Sequence, residues 1–256
     1  MNSSLQMFDL TGKVAIVTGG SRGLGKAIAL GFAAAGADIV VTSRSLSACQ
    51  EVVSQIETMG RKALAVACDV GQWKQVDLLA DATYKHFGRC DILINNAGIV
   101  QDLIPLAQTS EEMFDHFYQV NTKGPMHLAT LVAQRMGQSG GGTIVNMVTM
   151  GALRPCGQLA MYCSSKAATI ALTRSMADEW APLGVRVNAI APGPFKTEML
   201  DELEAASPGF IKYSADFTML KRVAQAEEIV GPALFLASKA SSFVTGQTLS
   251  VCGGGI

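Results

Sequence analysis

An open α/β architecture, with one parallel sheet of about seven strands and helices on both faces, is what the sequence predicts, on three observations. Short apolar runs alternate with helix-period segments along the whole chain. The first run passes through a glycine-rich turn directly into a helix. No linker, low-complexity stretch or internal repeat divides the 256 residues. Strand, helix and parallel strand in succession imply right-handed crossovers, which cover both faces of the sheet. The expectation is a single doubly wound domain over residues 1–256.

Val14 to Val17 is too short an apolar run for a helix and reads as the first strand. The turn Thr18-Gly19-Gly20-Ser21-Arg22-Gly23-Leu24-Gly25 follows, then a helical pattern from Lys26 to Ala35, stopped by Gly36. Glycines permit close backbone approach, and a helix N-terminus offers free N–H groups to a phosphate. This is the strand–turn–helix of a Rossmann-like dinucleotide site, with GxxxGxG spacing (Gly19, Gly23, Gly25) in place of GxGxxG. Asp38 to Thr42 is the second strand and ends in Ser43-Arg44-Ser45. There, an acid would hold the adenosine 2′-hydroxyl, and a base accommodates a 2′-phosphate. Arg44, with Arg22 in the first turn and no acid, favours NADP(H) as the cofactor, NAD(H) remaining possible.

Leu46 to Met59 reads as a helix, Ala63 to Ala67 as a strand ending at Cys68-Asp69-Val70, and Gln72 to Phe87 as a helix closed by Gly88. Asp91 to Ile94 is a strand running into Asn95-Asn96-Ala97-Gly98, where two adjacent amides after an apolar strand need a bonding network or a cofactor to satisfy them. Thr109-Ser110-Glu111-Glu112 reads as a capping box opening one long helix to about Met136. Asn121 and Gly124-Pro125 lie inside it, a local conflict of the kind that marks functional or strained positions. Thr143 to Val148 is a strand ending at Thr149-Met150-Gly151. Leu159 to Trp180 is a helix, Val185 to Ile190 a strand, Lys196 to Lys221 less regular, Glu227 to Leu236 a helix and Gln247 to Val251 the last strand.

The chemistry is placed at Tyr162 and Lys166. Four residues apart on a helix, they share a face. An ammonium beside a phenol favours the phenolate and draws its pKa toward neutrality, which makes a proton donor and acceptor usable at pH 7.

The chain closely resembles the classical short-chain dehydrogenase/reductase family over essentially its whole length. The landmarks stand in the family's order: Thr18-Gly19-xxx-Gly23-x-Gly25, Asp69, Asn95-Asn96-Ala97-Gly98, Asn121, Thr149, Tyr162-xxx-Lys166, Pro192-Gly193 with Thr197, and Thr245-Gly246-Gln247 before Gly253-Gly254. The resemblance implies that Gly19, Ser21, Arg22 and Leu24 meet the pyrophosphate and adenosine ribose. Asp69 and Val70 would hold the adenine, and Asn96, Ala97 and Gly98 would line the cofactor. Pro192, Gly193, Phe195 and Thr197 would fix the nicotinamide end. Tyr162 would exchange a proton with the substrate oxygen, Lys166 would lower the phenol pKa and hold the ribose, and Asn121 would position a relay water. Two positions depart from the family. Thr149 stands where a catalytic serine is usual, and Cys252 where aspartate is common, which touches a subunit contact.

The implied activity is hydride transfer between NADP(H) and a carbonyl or secondary alcohol. The alternative is a non-catalytic dinucleotide-binding sensor or scaffold whose site is degraded at Thr149. Candidate substrate residues are Gly151, Leu153, Met161, Phe210 and Tyr213, with Phe217 and Met219 beside them. The segment 194–220 would close as a lid. Residues 1–12 would form an N-terminal arm, 13–190 the dinucleotide-binding and catalytic core, and 244–256 the C-terminal strand and tail.

Composition sets the remaining bounds. A net charge of −1 without a basic block argues against nucleic acid as a partner. No run of 18 apolar residues suggests a membrane span, and the first residues do not read as a signal peptide. The six scattered cysteines, with no CxxC, read as reduced thiols in a cytoplasmic protein, with no metal site. Only 16% of residues are charged against 49% hydrophobic, which fits a surface partly buried in a homotetramer.

Overall fold

The computed structural model describes residues 6–100, 103–155 and 157–255. Cys156 and the first five residues of the expected N-terminal arm lie outside the described residues. The seven expected strands form: β1 (Val14–Thr18), β2 (Asp38–Ser43), β3 (Ala63–Ala67), β4 (Ile92–Asn95), β5 (Gly142–Met147), β6 (Val185–Pro192) and β7 (Thr248–Val251). They make one parallel sheet in the order β3-β2-β1-β4-β5-β6-β7. The order reverses between β1 and β4, so a crevice opens at the carboxyl ends of these strands.

The helices are α1 (Gly23–Ala34), α2 (Leu46–Thr58), α3 (Trp73–Phe87), α4 (Glu111–Tyr118), α5 (Gly124–Gln138), α6 (Ala160–Trp180), α7 (Glu198–Ala206), α8 (Phe210–Phe217) and α9 (Val230–Ala237). Strand residues alternate between two cores, as a period of two requires. Ala15 and Val17 of β1 join Ile28 and Phe32 of α1, Ile56 of α2 and Leu236 of α9 on one face. Ile16 joins Leu79 of α3, Leu128 and Val132 of α5 and Trp180 of α6 on the other. Both faces are covered, so β1 is buried throughout.

The long helix expected from Thr109 to Met136 is broken. Between α4 and α5 the chain makes a π-turn over Gln119–Lys123. The cause is Pro125, which has no N–H to give the carbonyl four residues back. That carbonyl belongs to Asn121, and it accepts instead from the Thr169 hydroxyl of α6 at 3.0 Å. Gly124 is required beside it, because a Cβ there would run into the Val70 carbonyl oxygen. The cap is also one residue later than expected: Ser110 accepts from the Met113 N–H at 3.1 Å. A capping box does form, but at Gln225 and Glu228, ahead of α9.

The irregular reading of Lys196 to Lys221 is likewise corrected, since this segment holds α7 and α8. Their joint is fastened by the Glu204 carboxylate, which accepts from Gly209 N at 2.9 Å and Ile211 N at 2.7 Å. The thiols of Cys49, Cys68, Cys90 and Cys252 are buried and outside any disulfide. Among the described residues there is no cluster able to hold a metal, and no helix is long and apolar enough to cross a membrane.

Candidate active site

The crevice at the carboxyl ends of the strands is a cavity of about 630 Å³. One end is built by the glycine-rich turn. Here α1 begins at Gly23 with Arg22 at its N-cap, and no side chain caps the helix. Its first N–H groups therefore face the crevice without a protein partner of the usual kind. At Gly25 a Cβ would collide with the Gly19 carbonyl and come within 2.5 Å of the Asn96 amide nitrogen. An uncapped helix start, held this close to the turn and flanked by Arg22 and Arg44, fits a pyrophosphate.

The paired asparagines have separate tasks. Asn96 Nδ2 donates to the Thr18 carbonyl at 2.9 Å and to that of Gly19 at 3.2 Å. Thr18 Oγ1 in turn accepts from the backbone of Asn96 at 2.9 Å and Ala97 at 3.0 Å. The turn after β1 is thus laced to the end of β4. Asn95 lies deeper and donates to Pro125 O at 3.1 Å and Asn146 Oδ1 at 2.9 Å.

Along the same wall lie Gly19, Ser21, Gly23, Leu24, Ala97 and Gly98. Asp69 and Val70 close the adjoining rim, with Asp69 Oδ1 accepting from Gly71 N at 2.9 Å. Pro192, Gly193, Phe195 and Thr197 form the opposite side after β6. Cys252 packs against Gly193, whose added Cβ would sit 2.7 Å from the Cys252 Cα. The cysteine is therefore buried in the wall of the crevice.

At the far end, α6 delivers Tyr162 and Lys166 to the cavity, and the loop after β5 delivers Thr149. Thr149 and Tyr162 share a hydrogen bond between their side chains. Thr149 Oγ1 also accepts from Gly151 N at 3.2 Å, which fixes its rotamer on the first turn of the loop. Lys166 is 4% exposed and donates to Met147 O at 2.8 Å.

The proton affinities differ from the sequence expectation. Burial pushes the Tyr162 phenol up to about 12, and the hydrogen bond from Thr149 offsets only part of that. Burial pushes the Lys166 ammonium down to about 8. Desolvation disfavours the charged form of both groups. In the protein alone the phenol is therefore a neutral donor at pH 7, not a phenolate drawn out by lysine.

Asn121 does not line the cavity. It is fully buried beneath it, with Oδ1 accepting from Ile99 N at 2.9 Å and Nδ2 donating to Ile99 O and Ser165 Oγ, each at 3.1 Å. Ser165 Oγ donates to Tyr162 O at 2.9 Å, so the π-turn is tied directly to the helix turn that carries the tyrosine. Gly25 likewise shapes the cavity from behind.

Of the five substrate candidates, Gly151, Phe210 and Tyr213 line the cavity. Leu153 does not: it is 44% exposed and points outward from the loop. Met161 is 7% exposed and is buried on α6 away from the lining. Met219, at 75% exposed, stands outside as well, whereas Phe217 is inside. Sequence reasoning missed Arg154, whose guanidinium lies over the Phe217 ring at 4.5 Å from its centre. Its signal was position alone, five residues after Thr149 in a loop at the carboxyl end of a central strand.

Comparison with known proteins gives the family. Residues 19–255 match the family model described as "Enoyl-(Acyl carrier protein) reductase". The chain is 38% identical over 250 residues to the 7alpha-hydroxysteroid dehydrogenase of Escherichia coli (strain K12), covering 96% of this chain and 95% of that one. A solved 7alpha-hydroxysteroid dehydrogenase complexed with NADH and 7-oxo glycochenodeoxycholic acid superposes with a TM-score of 0.93 at 38% identity, covering 100% of this chain and 98% of the other. A gluconate 5-dehydrogenase from Burkholderia cenocepacia J2315, in complex with NADP and tartrate, gives 0.93 at 35% identity, with 98% of each chain covered. A parallel sheet in this order, a glycine-rich turn facing a tyrosine and lysine on one helix, and relatives aligned end to end lead to one conclusion: the chain belongs to the short-chain dehydrogenase/reductase family, enzymes that act on alcohol and carbonyl groups with a nicotinamide cofactor.

Proposed function

We propose that this protein reduces a carbonyl compound to a secondary alcohol with NADPH, Tyr162 supplying the proton. The observation that carries the reading is the hydrogen-bonded pair of Thr149 and Tyr162 hydroxyls beside a buried Lys166, all lining the crevice that the glycine-rich turn opens. When bound, the nicotinamide supplies the hydride that goes to the carbonyl carbon. The Thr149 and Tyr162 hydroxyls would hold the carbonyl oxygen and stabilise the negative charge that develops on it. Tyr162 then gives its proton to that oxygen. The phenol is protonated at pH 7, as delivery of a proton to that oxygen requires. Lys166, anchored on Met147 O, keeps further N–H donors for ribose hydroxyls. Asn121 and Ser165 would position this helix turn rather than meet the substrate.

The preference for NADPH rests on Arg22 and Arg44 at the adenosine end and on the lack of an acid at the end of β2. Arg22 also reaches Glu202 of α7 at 3.4 Å, so part of its charge is already directed to the segment over the crevice. A cytoplasmic homotetramer belongs to the same reading. It is supported by the low charge content and by exposed apolar side chains such as Trp73, Leu78 and Phe243. Native mass measurement checks it.

The test follows NADPH and NADH absorbance against ketones, 3-oxoacyl thioesters, sugar acids and an enoyl thioester. Tyr162→Phe abolishes turnover of the best substrate by about a hundredfold or more, the scale of general-acid catalysis, and leaves NADPH binding within about twofold. Unchanged kcat in that variant overturns the assignment, and faster use of the enoyl thioester redirects it to carbon–carbon double bonds.

A further inference from the structure

Resting on the oxidoreductase reading above, we propose that Arg154 selects the substrate, receiving an anionic group at the far end of a carbonyl compound whose body is apolar. Arg154 is fixed relative to the Thr149 hydroxyl by a short turn. Ala152 N donates to Thr149 O at 3.0 Å, and Leu153 N and Arg154 N donate to Met150 O at 3.0 and 2.9 Å. The side chain is exposed at the cavity and lays its guanidinium on Phe217, at the end of α8. Stacking uses one face of the planar group and leaves its N–H fork free for an oxyanion.

No carboxylate within the described residues pairs with Arg154, unlike Arg22, Arg61, Arg89, Arg135 and Arg222. Among the described residues, two acidic side chains line the cavity, and both lie by the glycine-rich turn and the end of β3. Glu198 stands 3.5 Å from where a Cβ on Gly23 would be, and Asp69 holds the rim after β3. His116 also lines the cavity; it is exposed and shares a cleft with Glu111, Glu112 and Asp115. Phe217 lies against Arg154, and the cavity lining also includes the apolar Met150, Pro155, Leu159, Leu203 and Phe210, with Tyr213 and Ser214 on α8. A cavity that holds both the Tyr162–Lys166 pair and a guanidinium with no carboxylate partner among the described residues, with many apolar lining residues, fits a carbonyl with a carboxylate or similar anion at its tail. Arginine is the side chain suited to a planar carboxylate, because it binds both oxygens at once.

The experiment uses the full chain with NADPH and a series of methyl-ketone carboxylates of increasing chain length, each paired with its primary amide. At the optimal length the acid has a kcat/KM about tenfold or more above the amide, the scale of one charge-assisted contact. Arg154→Met raises KM for the acid about tenfold, leaves kcat within about twofold, and leaves both constants for the amide within about twofold. Arg154→Lys keeps part of the preference. Equal use of acid and amide by the wild type across the series overturns the inference while leaving the oxidoreductase reading standing. So does an Arg154→Met variant that raises KM for both members alike, because that is the signature of a latch on Phe217 and nothing more. No turnover of any acid or amide, alongside no turnover in the wider carbonyl panel, overturns the oxidoreductase reading and this inference with it.

Discussion

Lys166→Met removes a buried ammonium, and the structure sets the size and sign of the effect. A fall in the lysine pKa from 10.5 to about 8 corresponds to about 3 kcal/mol of unfavourable burial. Below about pH 8 the lysine is protonated in both the folded and unfolded states, so this penalty is present in full. Between about 8 and 10.5 the unfolded chain binds the proton and the folded one does not, so folded stability rises with pH. Above 10.5 the penalty is gone. Methionine also forfeits the 2.8 Å bond to Met147 O, a loss of about 1–2 kcal/mol at neutral pH. The variant is therefore more stable than the wild type by about 1–2 kcal/mol at pH 7, and the advantage fades or reverses by about pH 10.5. Urea unfolding followed through the buried Trp180 reads this out at a series of pH values. Taking the difference between the two proteins cancels the thiols of Cys68 and Cys90, which burial pushes up to about 11 and about 12. Tyr162 works in the opposite sense. Its raised pKa contributes stability that is present below pH 10 and lost as pH climbs toward about 12. Repeating the pair in a Tyr162→Phe background removes that contribution. A stability difference that stays flat between pH 7 and pH 10, or a variant less stable than the wild type at pH 7, refutes the reasoning.

Two further perturbations probe the scaffold. Gly25→Ala drives a Cβ into the Gly19 carbonyl, so the turn must open; NADPH affinity falls by about tenfold or more in a fluorescence titration. Thr169→Val leaves the Asn121 carbonyl that Pro125 cannot bond without its hydroxyl partner. It lowers unfolding free energy by about 1–3 kcal/mol in chemical denaturation, whereas Thr169→Ser restores most of the loss.

The number of strands and the layer arrangement were legible because the strands are short apolar runs separated by helical segments; the strand order came only with the structure. The lining of the crevice was legible for a related reason: glycines, asparagines and arginines at strand ends have few other uses. The π-turn was half visible. The conflict between Asn121 and Gly124-Pro125 marks the place, but only the structure shows Thr169 taking the released carbonyl. The helices α7 and α8 escaped because they have nine and eight residues, too few for a periodic signal, and their joint is made by one carboxylate, Glu204. Leu153 and Met161 were misplaced for a geometric reason. Loop direction after β5 and rotation of α6 decide which side chains enter the cavity, and neither is encoded in residue type. The proton affinity of Tyr162 differs from the expectation because spacing places the lysine but does not reveal the burial that raises the phenol.

The central claim is that two hydroxyls, Thr149 and Tyr162, act together on the substrate oxygen, with threonine doing what a serine usually does. Steady-state kinetics of Thr149→Ser and Thr149→Ala with the best carbonyl substrate test it most directly. The account predicts that serine stays within about threefold of the wild type. Alanine lowers kcat by about a hundredfold, the size of one lost oxyanion donor, with NADPH binding unchanged. Equal kcat in Thr149→Ala and the wild type contradicts it.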